Sequence, residues 1–177
     1  MARPHDRVIS ARVNHSLLVW AFTSGVCLHN AEEGYFAAAF SERASRLRWR
    51  IGPTAFRLAL AALSGVFVVV AAAATIGGPR SVGAYLIAGC ALAMVANAFL
   101  PHLAATVAAR RYAPGTATAL VLNLPLGSLL LYHSLTHGDV DPAVFVYAGP
   151  LTAIGVLALV PPIVLLARQL SDDRRGP

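Results

Sequence analysis

The sequence predicts an all-α membrane protein, a single domain built as a bundle of about five transmembrane helices. Three observations carry this. Only 12 % of the 177 residues are charged, against about 25 % in soluble domains. Mean hydropathy is +0.65. Apolar runs long enough to cross the hydrocarbon core, roughly 18 residues or more, recur along the chain, and no polar region between them is long enough to fold separately.

The expected spans are approximately Ser16–Phe40, Thr54–Ile76, Val82–Val107, Thr116–Leu135 and Pro142–Ala167. The first is the least uniform, because HNAEE at 29–33 interrupts "SLLVWAFTSGVCL" and "GYFAAAF". The second, "LALAALSGVFVVVAAAATI", carries no ionisable group. The third holds Pro101, which cannot donate to the carbonyl four residues back and so predicts a kink. The breaks "SERASRLRWRIGP", "GGPRS", "ARRYAPG" and "THGDVDP" are rich in turn formers and charge. Arginines and Trp49 in "SERASRLRWR" suit either a short helix on the membrane surface or a charged loop. Small residues throughout allow close helix approach.

All fourteen basic residues are Arg, and the net charge of +6 arises mainly between the apolar runs. That placement suits anionic lipid, and no basic stripe with interleaved aromatics or nucleic-acid motif is present. Nucleic acid is therefore not an expected partner; the lipid bilayer is. Connections 41–53 and 108–115 and the C-terminus share nine Arg and fall on one side of a five-span chain. This favours N-out, C-in, although Arg3, Arg7 and Arg12 oppose it; a re-entrant first segment would put both termini inside. The same N-terminal arginines mimic a secretory signal, but a retained first helix is expected. Cys27 and Cys90 lack metal-type spacing and read as small core side chains.

Of eight acids, only Glu32 and Glu33 lie within an apolar run. A carboxylate at the centre of a span costs about 2.5–3.5 kcal/mol, so such residues are usually functional. His29 stands three and four residues before them, one helical turn away, and all three are expected to face one cavity. Two carboxyls so close cannot both ionise cheaply, so one holds a proton while the other pairs with His29. Asn97 and His102 flank Pro101 and form a partner set from the third span. Tyr112, Asn123, Tyr132 and His133 are weaker candidates for binding substrate, Tyr112 also reading as an interfacial anchor. His5, His15 and His137 read as solvated or interfacial.

"HNAEE", "NAFLPH" and "RRYAPGTATALVLNLP", in that order over roughly residues 15–130, resemble the HXXEE-domain family of small bacterial membrane proteins. The resemblance points to His29, Glu32, Glu33, Asn97 and His102, and implies an enzyme-like site in the bacterial cytoplasmic membrane.

The leading expectation is a cofactor-independent acid–base enzyme, an isomerase, cyclase or epoxide-opening enzyme, acting on a lipophilic small molecule such as a terpenoid, polyketide or sterol-like lipid. It is similar in kind to emopamil-binding sterol isomerases. One alternative is a metal-dependent hydrolase or oxidase with Fe or Zn on His29, Glu32, Glu33 and His102. Another is a proton-coupled transporter, against which stands the lack of inverted repeats. Oligomeric state has no signal in the sequence.

Overall fold

The computed structural model describes residues 4–38 and 51–172. Five long helices account for nearly all of it: α1 Pro4–Tyr35, α2 Pro53–Gly77, α3 Val82–Ala109, α4 Thr116–Thr136 and α5 Pro142–Asp172. The all-α expectation holds. Four of them, α2 to α5, are long and apolar enough to cross a membrane, and the chain is a multi-pass membrane protein. Helix α1 is long enough as well, but its polar residues at both ends leave it outside that set. It starts earlier than expected and ends at Tyr35 rather than Phe40, with Phe36 in a turn. The Gly34 carbonyl near that end accepts from Arg57 Nε at 2.9 Å. The segment "SERASRLRWR" lies outside the described residues.

Helix α3 is the hub, packing on α1, α2, α4 and α5. Half of its apolar window is buried, against 6 % for α5, whose leucines and valines face outward as lipid-facing side chains should. The main core joins Val19, Phe22 and Val26 of α1 to Phe67 of α2, Ile87 and Met94 of α3, and Leu130 of α4. Small residues do allow close approach. A Cβ at Gly89 of α3 would lie 2.4 Å from Thr152 Cβ of α5. Cys90 is buried in the core and Cys27 half-buried, both as free thiols.

Two stretches depart from α geometry. Ala98–Leu103 is kinked at Leu100 (φ −130°, ψ 112°), just before Pro101, as the proline predicts. Ala119–Asn123 is a π-helical turn near the start of α4. Such interruptions recur at functional sites, and both lie beside the cluster described next.

Candidate functional site

The polar residues of HNAEE turn to different elements of the bundle, though His29 and Glu32 share Thr118. Asn30 is buried and its Nδ2 donates to Ser64 Oγ of α2 at 2.9 Å, fixing the rotation of α1. Glu32 turns toward the start of α4. Its Oε1 accepts from the Gly115 N–H at 3.0 Å and from the Tyr112 hydroxyl. Its Oε2 accepts from the Thr118 N–H at 3.1 Å and the Thr118 hydroxyl at 2.6 Å. The carboxylate thus caps a helix N-terminus from another helix, where free N–H groups and the dipole favour an anion. Burial and the Glu32 carboxylate push the Tyr112 hydroxyl above its usual pKa, so it remains a donor.

The partners also fix the proton positions. Thr118 gives its only hydroxyl hydrogen to Glu32, so at 3.0 Å it must accept from His29 Nδ1–H. The other nitrogen of His29, Nε2, then carries a lone pair. Asn97 Nδ2 faces that lone pair at 3.5 Å, which agrees with the same tautomer. His102 Nδ1 lies 3.1 Å from the Pro114 carbonyl, which can only accept, so Nδ1 carries hydrogen there too. His102 Nε2 lies 3.5 Å from Glu33 Oε1. With Nδ1 protonated, a bond between Nε2 and the carboxyl needs one proton, shared by the pair.

The rings of His29 and His102 meet edge to face, with centroids 4.7 Å apart. Both are buried, while the Glu33 side chain is 21 % exposed and offers the approach. Ligand-type atoms of His29, Glu33 and His102 all lie within 4.8 Å of one another. Gly115 (φ +88°) forms the wall against all three side chains. Thr106 and Thr116 hold that loop, their hydroxyls 2.8 Å apart, with the Ala113 N–H donating to Thr106 at 3.1 Å. A separate cavity of about 290 Å³ between α1 and α2 is lined by Cys27, Asn30, Arg57 and Ser64, and by none of the three. Beside His102, Phe99 and Leu100 are exposed, an apolar rim on the α3 side.

The structure therefore brings His29, Glu33, His102 and Asn97 together, with Glu32 one hydroxyl away and Tyr112 bonded to it. Asn123 is fully buried one π-turn further along α4; its amide atoms make no hydrogen bond and its Oδ1 lies close to Gly25. Tyr132 and His133 are not brought to this cluster. They lie at the other end of α4, Tyr132 mostly exposed and His133 3.1 Å from Asp139. The solvated reading of His15 is corrected: it is 4 % exposed, packed against Asp139. Thr118, Gly115 and the Pro114 carbonyl were not singled out from the sequence. The signal was a Gly followed by hydroxyl residues opening a helix, the pattern of an N-terminal cap.

The model of the family described as "Protein of unknown function with HXXEE motif" matches residues 20–130. The chain belongs to this HXXEE family. The match contains every member of the cluster, from His29 to Thr118. "Uncharacterized protein YrkK" of Bacillus subtilis (strain 168) is 28 % identical over 151 residues, covering 85 % of this chain and 95 % of that one. No solved structure matches.

Proposed function

We propose that this HXXEE protein is a membrane-embedded acid–base enzyme that isomerises, cyclises or opens the epoxide of a lipophilic small molecule such as a terpenoid, polyketide or sterol-like lipid. One observation carries the reading. Glu33 Oε1 stands 3.5 Å from His102 Nε2, beside a second imidazole, His29, whose Nε2 lone pair faces the Asn97 amide at 3.5 Å. Donor and acceptor in one place are what protonation-initiated rearrangements need. Glu33 and His102 supply the proton to an alkene or epoxide oxygen. His29 removes one from the resulting cation, and Asn97 holds the His29 ring and the substrate's polar group. Thr118 and Glu32 act through His29 as positioning residues. The unspent amide of Asn123 is a further contact for a polar substituent. The exposed Phe99 and Leu100 favour entry from the bilayer.

The test is conversion of lipophilic terminal epoxides and polyenes by membranes containing the protein, in D2O, with products analysed by mass spectrometry. New carbon-bound deuterium, or diol or cyclised product, is expected from these membranes and not from membranes lacking the protein. Failure across such a panel would count against the reading.

A metal-dependent hydrolase or oxidase is a second reading with its own support. His29, Glu33 and His102 form a two-imidazole, one-carboxylate group, and each imidazole's other nitrogen already donates to an oxygen, as metal-bound histidines usually do. Metal at one equivalent in the purified protein, lost in His102→Ala together with activity, would transfer the conclusion to it.

The bundle places the cluster at the end of α1 and α3 that also carries Arg57, Arg110, Arg111 and Arg168. The positive-inside bias supports the cytoplasmic face of the bacterial inner membrane for that end. In a chain with Cys27 and Cys90 replaced by Ala, Arg80→Cys is expected to react with an impermeant maleimide on intact spheroplasts. Arg111→Cys is expected to react only after lysis. The reverse pattern would put the cluster on the outer face.

A further inference from the structure

The opposite end of the bundle holds a second group of ligand-type side chains. His15 lies in α1 and His133 in α4, while Asp139 follows α4 in the turn before α5. From His15 to Glu32 along α1 is roughly 25 Å at 1.5 Å per residue, so the two clusters are separate. We propose that His15, His133 and Asp139 bind one divalent transition metal of the zinc class, with water as the fourth ligand.

The distances fit. Asp139 Oδ2 lies 2.9 Å from His15 Nδ1 and 3.1 Å from His133 Nδ1, and one ligand atom from each residue lies within 4.8 Å of the others. Bonds of about 2.0–2.1 Å in a tetrahedral site put neighbouring ligand atoms roughly 3.4 Å apart, so small side-chain adjustments admit an ion. The directions fit as well. Asp139 Oδ2 faces the Nδ1 atoms of both rings, so the three ligand atoms converge on one small volume, and His15 Nε2 is buried there without a hydrogen bond. His15 and Asp139 also line a cavity of about 110 Å³ with Ser16 and the C-terminal end of α2 through Pro79, which gives room for the water. Two imidazoles and one carboxylate suit Zn(II) and Co(II) better than Mg(II) or Ca(II).

The site is built rather than incidental. Helix α4 ends at Thr136, and Gly138 (φ +76°) reverses the chain so that Asp139 folds back beside His133. The Asp139 carbonyl accepts the Arg80 N–H at 2.7 Å, the Val140 N–H donates to the Ser134 carbonyl at 3.1 Å, and the Asp141 N–H donates to the Tyr85 hydroxyl at 2.9 Å. The turn is thus anchored to the α2–α3 connection, to α3 and to α4. Metal here would tie α1 to that frame and hold the helix that carries HNAEE. The His137 ring is exposed and stacks on His133 at 4.1 Å.

The proposal is independent of the reaction assigned to HNAEE. It is tested in full-length protein without a histidine tag, purified in detergent, stripped with EDTA and titrated with Co(II). His102→Ala is the background, so that the other cluster lacks a ligand. One Co(II) per chain is expected, with the visible absorption of a four-coordinate ion, and Zn(II) should displace it and raise the unfolding temperature. Asp139→Asn or His133→Gln, added singly, should each lower affinity at least 100-fold while helical content is kept. Absence of Co(II) binding in the His102→Ala protein would overturn the proposal, whatever the variants do. Binding undiminished in Asp139→Asn or His133→Gln would overturn it equally.

Discussion

Gly115→Ala is expected to abolish most of the activity, although it adds a single methyl group. At φ +88° an L-residue is strained, by about 1–2 kcal/mol for left-handed backbone. The new Cβ would stand 2.6 Å from His102 Cε1, 2.9 Å from His29 Cε1 and 3.0 Å from Glu33 Cγ. Carbon atoms pack at about 3.5–4.0 Å, so both imidazoles and the carboxyl must move by up to about an ångström. Displacement on that scale costs roughly 10²-fold in a positioned reaction, and overpacking adds about 1–3 kcal/mol to the loss of stability. The measurement is turnover and the unfolding midpoint of Gly115→Ala beside Gly65→Ala. Gly65 lies in α2 with open space around it, and its variant should keep both properties. A Gly115→Ala protein with normal turnover would mean that no reaction takes place between His29, Glu33 and His102.

The fold was legible because two levels of the sequence agree: the apolar runs and the Gly/Pro breaks describe the same bundle. The end of α1 was less legible, since "GYFAAAF" is apolar and nothing local marks the turn at Phe36. His29, Glu33 and His102 could be named from the cost of polar groups in an apolar run. Thr118 could not, because hydroxyls are common in membrane helices and its role depends on Glu32, 86 residues away. His15 was hidden by its position beside an arginine-rich terminus; only the reversal at Gly138 supplies the acid that buries it. Adjacent glutamates invite treatment as a pair, yet neighbours on an α-helix point about 100° apart at 3.6 residues per turn. That rotation sends Glu32 to α4 and Glu33 to α3.

From that divergence follows a division of labour between the two carboxyls, testable with the same conservative change at each. In Glu32→Gln, one oxygen becomes an NH2 group. Each Glu32 oxygen faces a backbone N–H, from Gly115 on one side and Thr118 on the other, so either orientation sets two donors against each other. Unsatisfied groups of this kind cost about 1–3 kcal/mol, and the start of α4 loses its anionic cap. The expected result is a lower unfolding midpoint, with activity falling because the loop moves. In Glu33→Gln, by contrast, the new NH2 can donate to His102 Nε2, whose Nδ1–H stays on the Pro114 carbonyl. The fold should change by less than about 0.5 kcal/mol, within the range of benign substitutions. Proton exchange with substrate stops, so turnover should drop by roughly 10²–10⁴. The two midpoints and two turnover rates, measured side by side in detergent, separate anchor from acid. A stable but inactive Glu32→Gln together with a fully active Glu33→Gln would reverse the assignment, and would move the chemistry from the face shared with α3 to the one shared with α4.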